Sequence, residues 1–283
     1  MNAIDPQRLR RELQDLTPMP QVVHDVLAAI VSDEIPVGEL AMRIGRDPAL
    51  AARTLRVANS AFYGAAGRVG TLRDALRVVG VRRIGAVVAA SAVAGRFERP
   101  RCAGFDFDVF WSHSFATAIG AQAVAARVGL DEGQAFTAGL LHDIGRLVLA
   151  TRFPEALAAA IEDARRRDGG AYASEASVLG LEHAEVGAAV GEHWRFAAPV
   201  VEAIRTHHQP TPGPASRAPS LGDVLHVADA IAHALDVAHD EDEFVPLIAL
   251  EPWLRVGLDP AACTSVFHQV ESSHAALRQA LSI

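Results

Sequence analysis

The sequence predicts an all-α fold of about a dozen short-to-medium helices with no sheet. Three observations carry this. Apolar residues recur at i, i+3 and i+4 along most of the chain. Helix-capping residues, glycines and prolines punctuate those stretches at helix-length intervals. Period-two alternation, the mark of a half-buried strand, is nearly absent. With 283 residues, half of them hydrophobic, the chain is long enough for one large helical core or two smaller ones.

Taken in order, residues 1–15 alternate charges with single apolar residues and form an N-terminal helix or extension. They have no apolar h-region, so they do not read as a signal peptide. Pro20 opens a one-sided helix carrying Val22, Val23, Val26, Leu27 and Ile30. Asp47 is an N-cap with Pro48 at the first helical position, and that helix runs toward Asn59. Three glycines make 64–70 a loop. Thr71 caps a helix with Leu72, Ala75, Leu76 and Val79, which Gly80 stops, and an apolar helix follows over 81–97. Pro100 and Gly104 mark a boundary, so 16–103 forms the N-terminal lobe.

The second lobe, 104–237, starts with a long helix over 106–128, ended by Gly129. Further helices are expected at 131–145, from Pro154 to the run Arg165, Arg166 and Arg167, and at 172–179, 182–194 and 199–208. Four prolines make 209–219 a rigid loop, and 221–235 is helical again. The C-terminal segment, 238–283, has an acidic loop at 239–243 and a closing helix over 260–283. No repeat of fixed period emerges.

Composition narrows the functional classes. Cys102 and Cys263 are too few for a disulfide framework or a cysteine zinc site, which suits a reducing cytoplasm. The longest apolar run, 84–95, is short of the roughly 18 residues a membrane span needs. A net charge of −8 argues against general nucleic-acid binding. The charge is uneven: residues 41–101 hold 12 Arg against Asp47, Asp74 and Glu98, a balance of +9, and the remainder carries −17. Either the basic part docks on the acidic part, or it faces an anionic ligand or an acidic partner. Every basic residue is Arg, so single arginines carry little weight. No Gly-rich phosphate loop follows a strand and no Gly-x-Ser-x-Gly elbow occurs.

Among 12 histidines, the neighbours matter more than the number. His142 and Asp143 sit side by side among Leu140, Leu141 and Ile144, which turns an imidazole and a carboxylate toward a dry interior. Such a buried charge must be paired or bound to metal. Nitrogen and carboxylate donors together suit Fe, Mn, Zn or Ni better than Ca or Mg. His207 and His208 are neighbours at a helix end, pointing about 100° apart on a 3.6-residue turn, so they serve one site from its edge or bridge two metals. Asp229 lies between alanines on an apolar helix and calls for a partner. His113 lies in a helix beside aromatic residues, and His183 starts another. The other histidines, His24, His193, His226, His233, His239, His268 and His274, are read as surface or edge residues.

The ordered set His113, His142-Asp143, His183, His207-His208 and Asp229 resembles the HD superfamily of metal-dependent phosphohydrolases. The segments LTPMPQVVHDVL, IGRDPALAARTLRVANSAFYG, TLRDALRVVGVRRI, WSHSFATA, GLLHDIGRL, HAEVGAAVGEHW and AIRTHHQP narrow the resemblance to the HDOD domain, its bacterial signalling branch, over roughly 16–232. The resemblance implies an HD-like helical core behind an N-terminal helical lobe. It also implies a regulatory module acting through signalling-protein partners, of a kind in which metal ligands are often lost. Here all seven residues, His113, His142, Asp143, His183, His207, His208 and Asp229, fall where ligands are expected, for one or two divalent transition-metal ions.

The alternative is a metal-dependent phosphohydrolase acting on a nucleotide or other phosphate ester, with Asp143 and Arg146 as catalytic residues. The Gly-Tyr-Pro signature of cyclic-dinucleotide phosphodiesterases is absent after His207-His208, and Arg146 stands where those enzymes tend to have Lys. The stretch 47–64 is either an interaction element or packing, with Asn59, Phe62 and Tyr63 capping a helix and filling the lobe junction.

Overall fold

Every regular element among the described residues of the computed structural model is a helix, in agreement with the sequence. The described residues are 3–16, 26, 35–60, 69–81, 85, 97–167, 169–239, 245–246 and 248–281. The helices expected at 20–30 and 81–97, most of the 64–70 loop, His24, Phe62, Tyr63 and the acidic loop at 239–243 lie wholly or largely outside them. The chain divides into two compact units, residues 1–17 with 97–270, and residues 18–96 with 271–283. Among the described residues, no helix is long and apolar enough to cross a membrane.

In the second unit, α2 (Val37–Gly45), α3 (Pro48–Ala58) and α4 (Leu72–Val78) pack on one another around Leu40, Ile44, Leu50, Val57 and Leu76. The caps are those the sequence indicates. Asp47 Oδ1 accepts the Leu50 N–H at 3.0 Å, and Thr71 Oγ1 accepts the Asp74 N–H at 3.1 Å. The Asn59 amide donates to the carbonyls of Leu55 and Val69 and accepts the Val69 N–H, so this side chain serves as an internal tie.

The first unit is built on α5 (Phe107–Val128), which Asp106 caps and Gly129, at φ 73°, ends. Fifteen of its 22 residues are buried, as befits a helix apolar on all sides. On it pack α6 (Glu132–Leu141) and α12 (Leu221–Leu235). A Cβ on Gly139 would lie 2.7 Å from the Ala118 Cα, so only glycine lets α6 approach α5 this closely. Around this layer run α7 (Ile144–Arg152), α8 (Pro154–Arg167), α9 (Ala171–Leu179), α10 (His183–His193) and α11 (Ala198–Thr206). The N-terminal α1 (Pro6–Gln14) packs on α10, and the short α13 (Leu250–Val256) packs on α12. The last helix, α14, spans Pro260–Leu281.

Two expected helices end early, at chemically important places. The helix predicted over 131–145 breaks at Asp143, whose φ of −95° and ψ of 9° lie in the bridge region. His142-Asp143 therefore forms the corner between α6 and α7. The helix predicted over 199–208 stops at Thr206, leaving His207 and His208 in the turn beyond it. Two histidines expected at the surface are buried: His226 and His274 are each 4% exposed. His193, His239 and His268 are exposed, as expected.

Candidate metal centre

The corner after α6 is held against α10 by a close backbone approach. A Cβ on Gly145 would lie 2.0 Å from the His183 carbonyl oxygen and 2.7 Å from the Gly187 nitrogen. Glycine at 145 thus brings His142-Asp143 onto the start of α10, where His183 stands. His113 comes from mid-α5, Asp229 from α12, and His207-His208 from the turn after α11. All seven predicted residues converge.

Two carboxylates organise the cluster. Asp143 Oδ1 lies 3.0 Å from His183 Nε2, 3.4 Å from His142 Nε2 and 3.7 Å from His207 Nε2. Asp229 Oδ1 lies 3.0 Å from His113 Nε2, 3.4 Å from His142 Nε2 and 3.5 Å from His233 Nε2. His113 and His142 approach through their Nε2 atoms at 3.2 Å, and His183 and His208 do so at 2.8 Å. The His208 ring stacks on Tyr172 at 4.6 Å.

Hydrogen bonds facing away from the centre fix several rings. His142 Nδ1 lies 2.7 Å from the Gly139 carbonyl and His207 Nδ1 2.7 Å from that of Ile204. A carbonyl only accepts, so both Nδ1 atoms carry a proton and both Nε2 atoms face inward. His142 Nε2 then faces two carboxylate oxygens at 3.4 Å, an arrangement that requires a proton or a cation between them. His207 Nε2 is buried with no hydrogen-bond partner. His183 Nδ1 donates to Glu175 Oε2 at 2.6 Å, and the same oxygen accepts the His183 backbone N–H at 2.8 Å. Carboxylate or carbonyl support of this kind orients metal-ligating imidazoles.

The electrostatics agree. Burial would raise the Asp143 carboxyl, but His142, His183 and Arg146 hold it well below the usual range. Burial acts likewise on Asp229, which His233, His113 and His142 hold well below its ordinary value. Burial opposes protonation of His183, yet the Glu175 and Asp143 carboxylates outweigh it and lift the ring to about 10. Burial and the neighbouring His142 and His183 push His207 down to about 3, so it is neutral. His208 is driven down by burial and by His207 and His183.

Among the described residues, three donor sets could each hold a metal ion: His183, His207 and His208; His113, Asp229 and His233; and His113, His142 and Asp143, each with ligand atoms within 4.8 Å of one another. Nitrogen with carboxylate oxygen fits a divalent transition metal. Arg146 NH1 lies 3.6 Å from Asp143 Oδ2. With His113, Asp143 and His233, Arg146 lines a cavity of about 60 Å³.

Sequence reasoning missed four neighbours of this cluster. His233 is one helical turn beyond Asp229, a spacing that would have pointed to it. Glu175 and Tyr172 had no local signal. His226 donates from Nδ1 to the His207 carbonyl at 2.7 Å and accepts the Ala249 N–H on Nε2 at 2.9 Å, so it supports the turn carrying His207.

Comparison with known proteins identifies the family and the fold. The chain is 26% identical, over 215 residues and 75% of its length, to an uncharacterised protein of Treponema pallidum (strain Nichols). It spans 41% of that relative. Among solved structures it is similar to a protein of Shewanella amazonensis SB2B provisionally named a phosphohydrolase, at 28% identity and a TM-score of 0.70, covering 95% of this chain and 98% of that one. It shares its fold with an HDOD domain protein of unknown function from Geobacter sulfurreducens, at 19% identity and a TM-score of 0.77, covering 98% and 96%. The HDOD domain model matches residues 16–210, and the chain belongs to the HDOD domain family.

Proposed function

We propose that this chain is a regulatory module of bacterial signal transduction that holds one or two divalent transition-metal ions and acts through contacts with signalling proteins. Family membership supports the regulatory role. The metal is supported by the donor set, above all by the inward His207 Nε2, which has no hydrogen-bond partner among the described residues. His113, His142, Asp143, His183, His207, His208 and Asp229 would hold it, and the ion would supply a Lewis acid that lowers the pKa of bound water.

The observation that favours binding over turnover is the size of the opening. A cavity of about 60 Å³ holds a few waters, whereas small-molecule sites occupy roughly 300–1,000 Å³. The second reading, a phosphohydrolase acting on a nucleotide or other phosphate ester, is favoured by Arg146, a bidentate anion donor lining that opening beside Asp143. Metal-loaded protein offered a panel of cyclic and linear nucleotides and aryl phosphates decides between them. The regulatory reading expects no turnover above that of Asp143→Asn. Turnover abolished by Asp143→Asn and strongly reduced by Arg146→Ala would replace it with the hydrolase reading.

A further inference from the structure

We propose that His233 is an additional metal ligand, completing with His113 and Asp229 a second metal position beside the cavity. This rests on the metal-binding reading above and extends it to a residue outside the HD-type ligand pattern.

Asp229 and His233 are four residues apart on α12, so their side chains project from the same helix face. His233 Nε2 lies 3.5 Å from Asp229 Oδ1, the oxygen that is also 3.0 Å from His113 Nε2. The His113 and His233 rings lie 4.3 Å apart between centroids. Two imidazoles thus converge on one carboxylate oxygen, a mixed N/O donor set suited to Zn, Ni, Mn or Fe.

The set His113, Asp229 and His233 shares no residue with the set His183, His207 and His208. Both can therefore be filled at once, with His142 and Asp143 between them. Each set has two buried ligands and one half-buried one, and in the His113 set the half-buried ligand, His233, lines the cavity together with His113 and Arg146. An ion held by three protein ligands at that wall keeps coordination positions for water or an anion from solvent.

Co²⁺ titration of the chelator-stripped full chain tests this, with stoichiometry by elemental analysis and ligand field by visible absorption. The wild type is expected to take up two ions. His233→Ala is expected to retain one at wild-type affinity and to weaken the other step at least about tenfold, the lower end of what loss of a mere supporting residue costs a metal site. The visible bands of the second equivalent should change. His208→Ala should weaken the other step instead. His233→Gln, which keeps most of the bulk, should repeat the His233→Ala result if the smaller side chain disturbs folding. Two ions in His233→Ala and His233→Gln, with both affinities within twofold of wild type, would overturn the assignment while leaving the metal-binding reading intact. A wild type that takes up no metal would overturn both.

Discussion

Gly145→Ala is the most economical perturbation of the joint that assembles the cluster. The added methyl would stand 2.0 Å from the His183 carbonyl oxygen and 2.7 Å from the Gly187 nitrogen, where non-bonded heavy atoms settle at roughly 3.5–4.0 Å. Both opposing atoms are backbone, so no rotamer relieves the clash and α7 must move away from α10. Overpacking of this kind costs about 1–3 kcal/mol and sometimes more. Alanine is favoured over glycine in a helix by about 1 kcal/mol, which offsets part of that. The severity of the contact points to the upper end of the overpacking range, about 3 kcal/mol, and subtracting the helix gain of about 1 kcal/mol leaves a net loss of about 2 kcal/mol. At ~2–4 °C per kcal/mol for a domain of this size, thermal unfolding of the chelated protein should fall by about 4–8 °C. Metal affinity should fall as well, because the shift carries His183 away from Asp143. Gly70→Ala, where a Cβ meets nothing within 4 Å, is the control and should melt like wild type. A Gly145→Ala protein melting within a degree of wild type, with unchanged metal affinity, would refute the reasoning.

Three other predictions concern buried charges. Glu175→Gln removes the carboxylate that orients His183 and should weaken metal binding roughly 10–100-fold, measured by chelator competition with the fold unchanged by circular dichroism. His183, lifted to about 10, carries a proton at neutral pH in the metal-free protein. A raised pKa gives stability that is full below the ordinary histidine value and is lost as pH rises through about 10. Metal must displace that proton, so affinity should increase with pH between 7 and 9, and calorimetry in buffers of different ionisation enthalpy should show proton release. Arg255 forms a buried ion pair with Asp223. Burial would raise the Asp223 carboxyl, but the hydrogen bonds from Arg255 and Ser220 lower it. A depressed carboxyl contributes stability above its unfolded pKa and loses it as pH falls through the folded value. Asp223→Asn should therefore destabilise the protein at pH 7 by about 3–5 kcal/mol, as loss of one partner of a buried pair does, with the gap narrowing below pH 4 in denaturant titrations.

The fold class was legible because helical periodicity and caps are local. Asp47, Thr71 and Asp106 each accept the backbone N–H groups that a cap should. Convergence of the seven candidate residues was legible only through the family pattern, since His113 and Asp229 are 116 positions apart and no local rule joins them. What the sequence hid is tertiary. The α6 helix stops at the HD pair, where the Asp143 carboxylate turns toward His142, His183 and His207 and does not cap α7. Glu175 reads as an ordinary helix carboxylate until α9 and α10 bring it to His183. Burial of a lone histidine such as His226 or His274 has no periodic signature, whereas the four-residue step from Asp229 to His233 is a local one that places both on one helix face. Arg146 is marked by its place beside the pair, and the cavity it lines exists only once the helices pack.

The central claim is that the inward-facing cluster holds metal, and metal content measures it most directly. Protein purified without chelator is analysed for Fe, Mn, Zn and Ni beside His207→Ala, which deletes the buried, unpartnered nitrogen. The account predicts one to two equivalents of transition metal in the wild type and a clear loss in a normally folded His207→Ala. A folded wild type that remains metal-free after incubation with each of the four ions would contradict it.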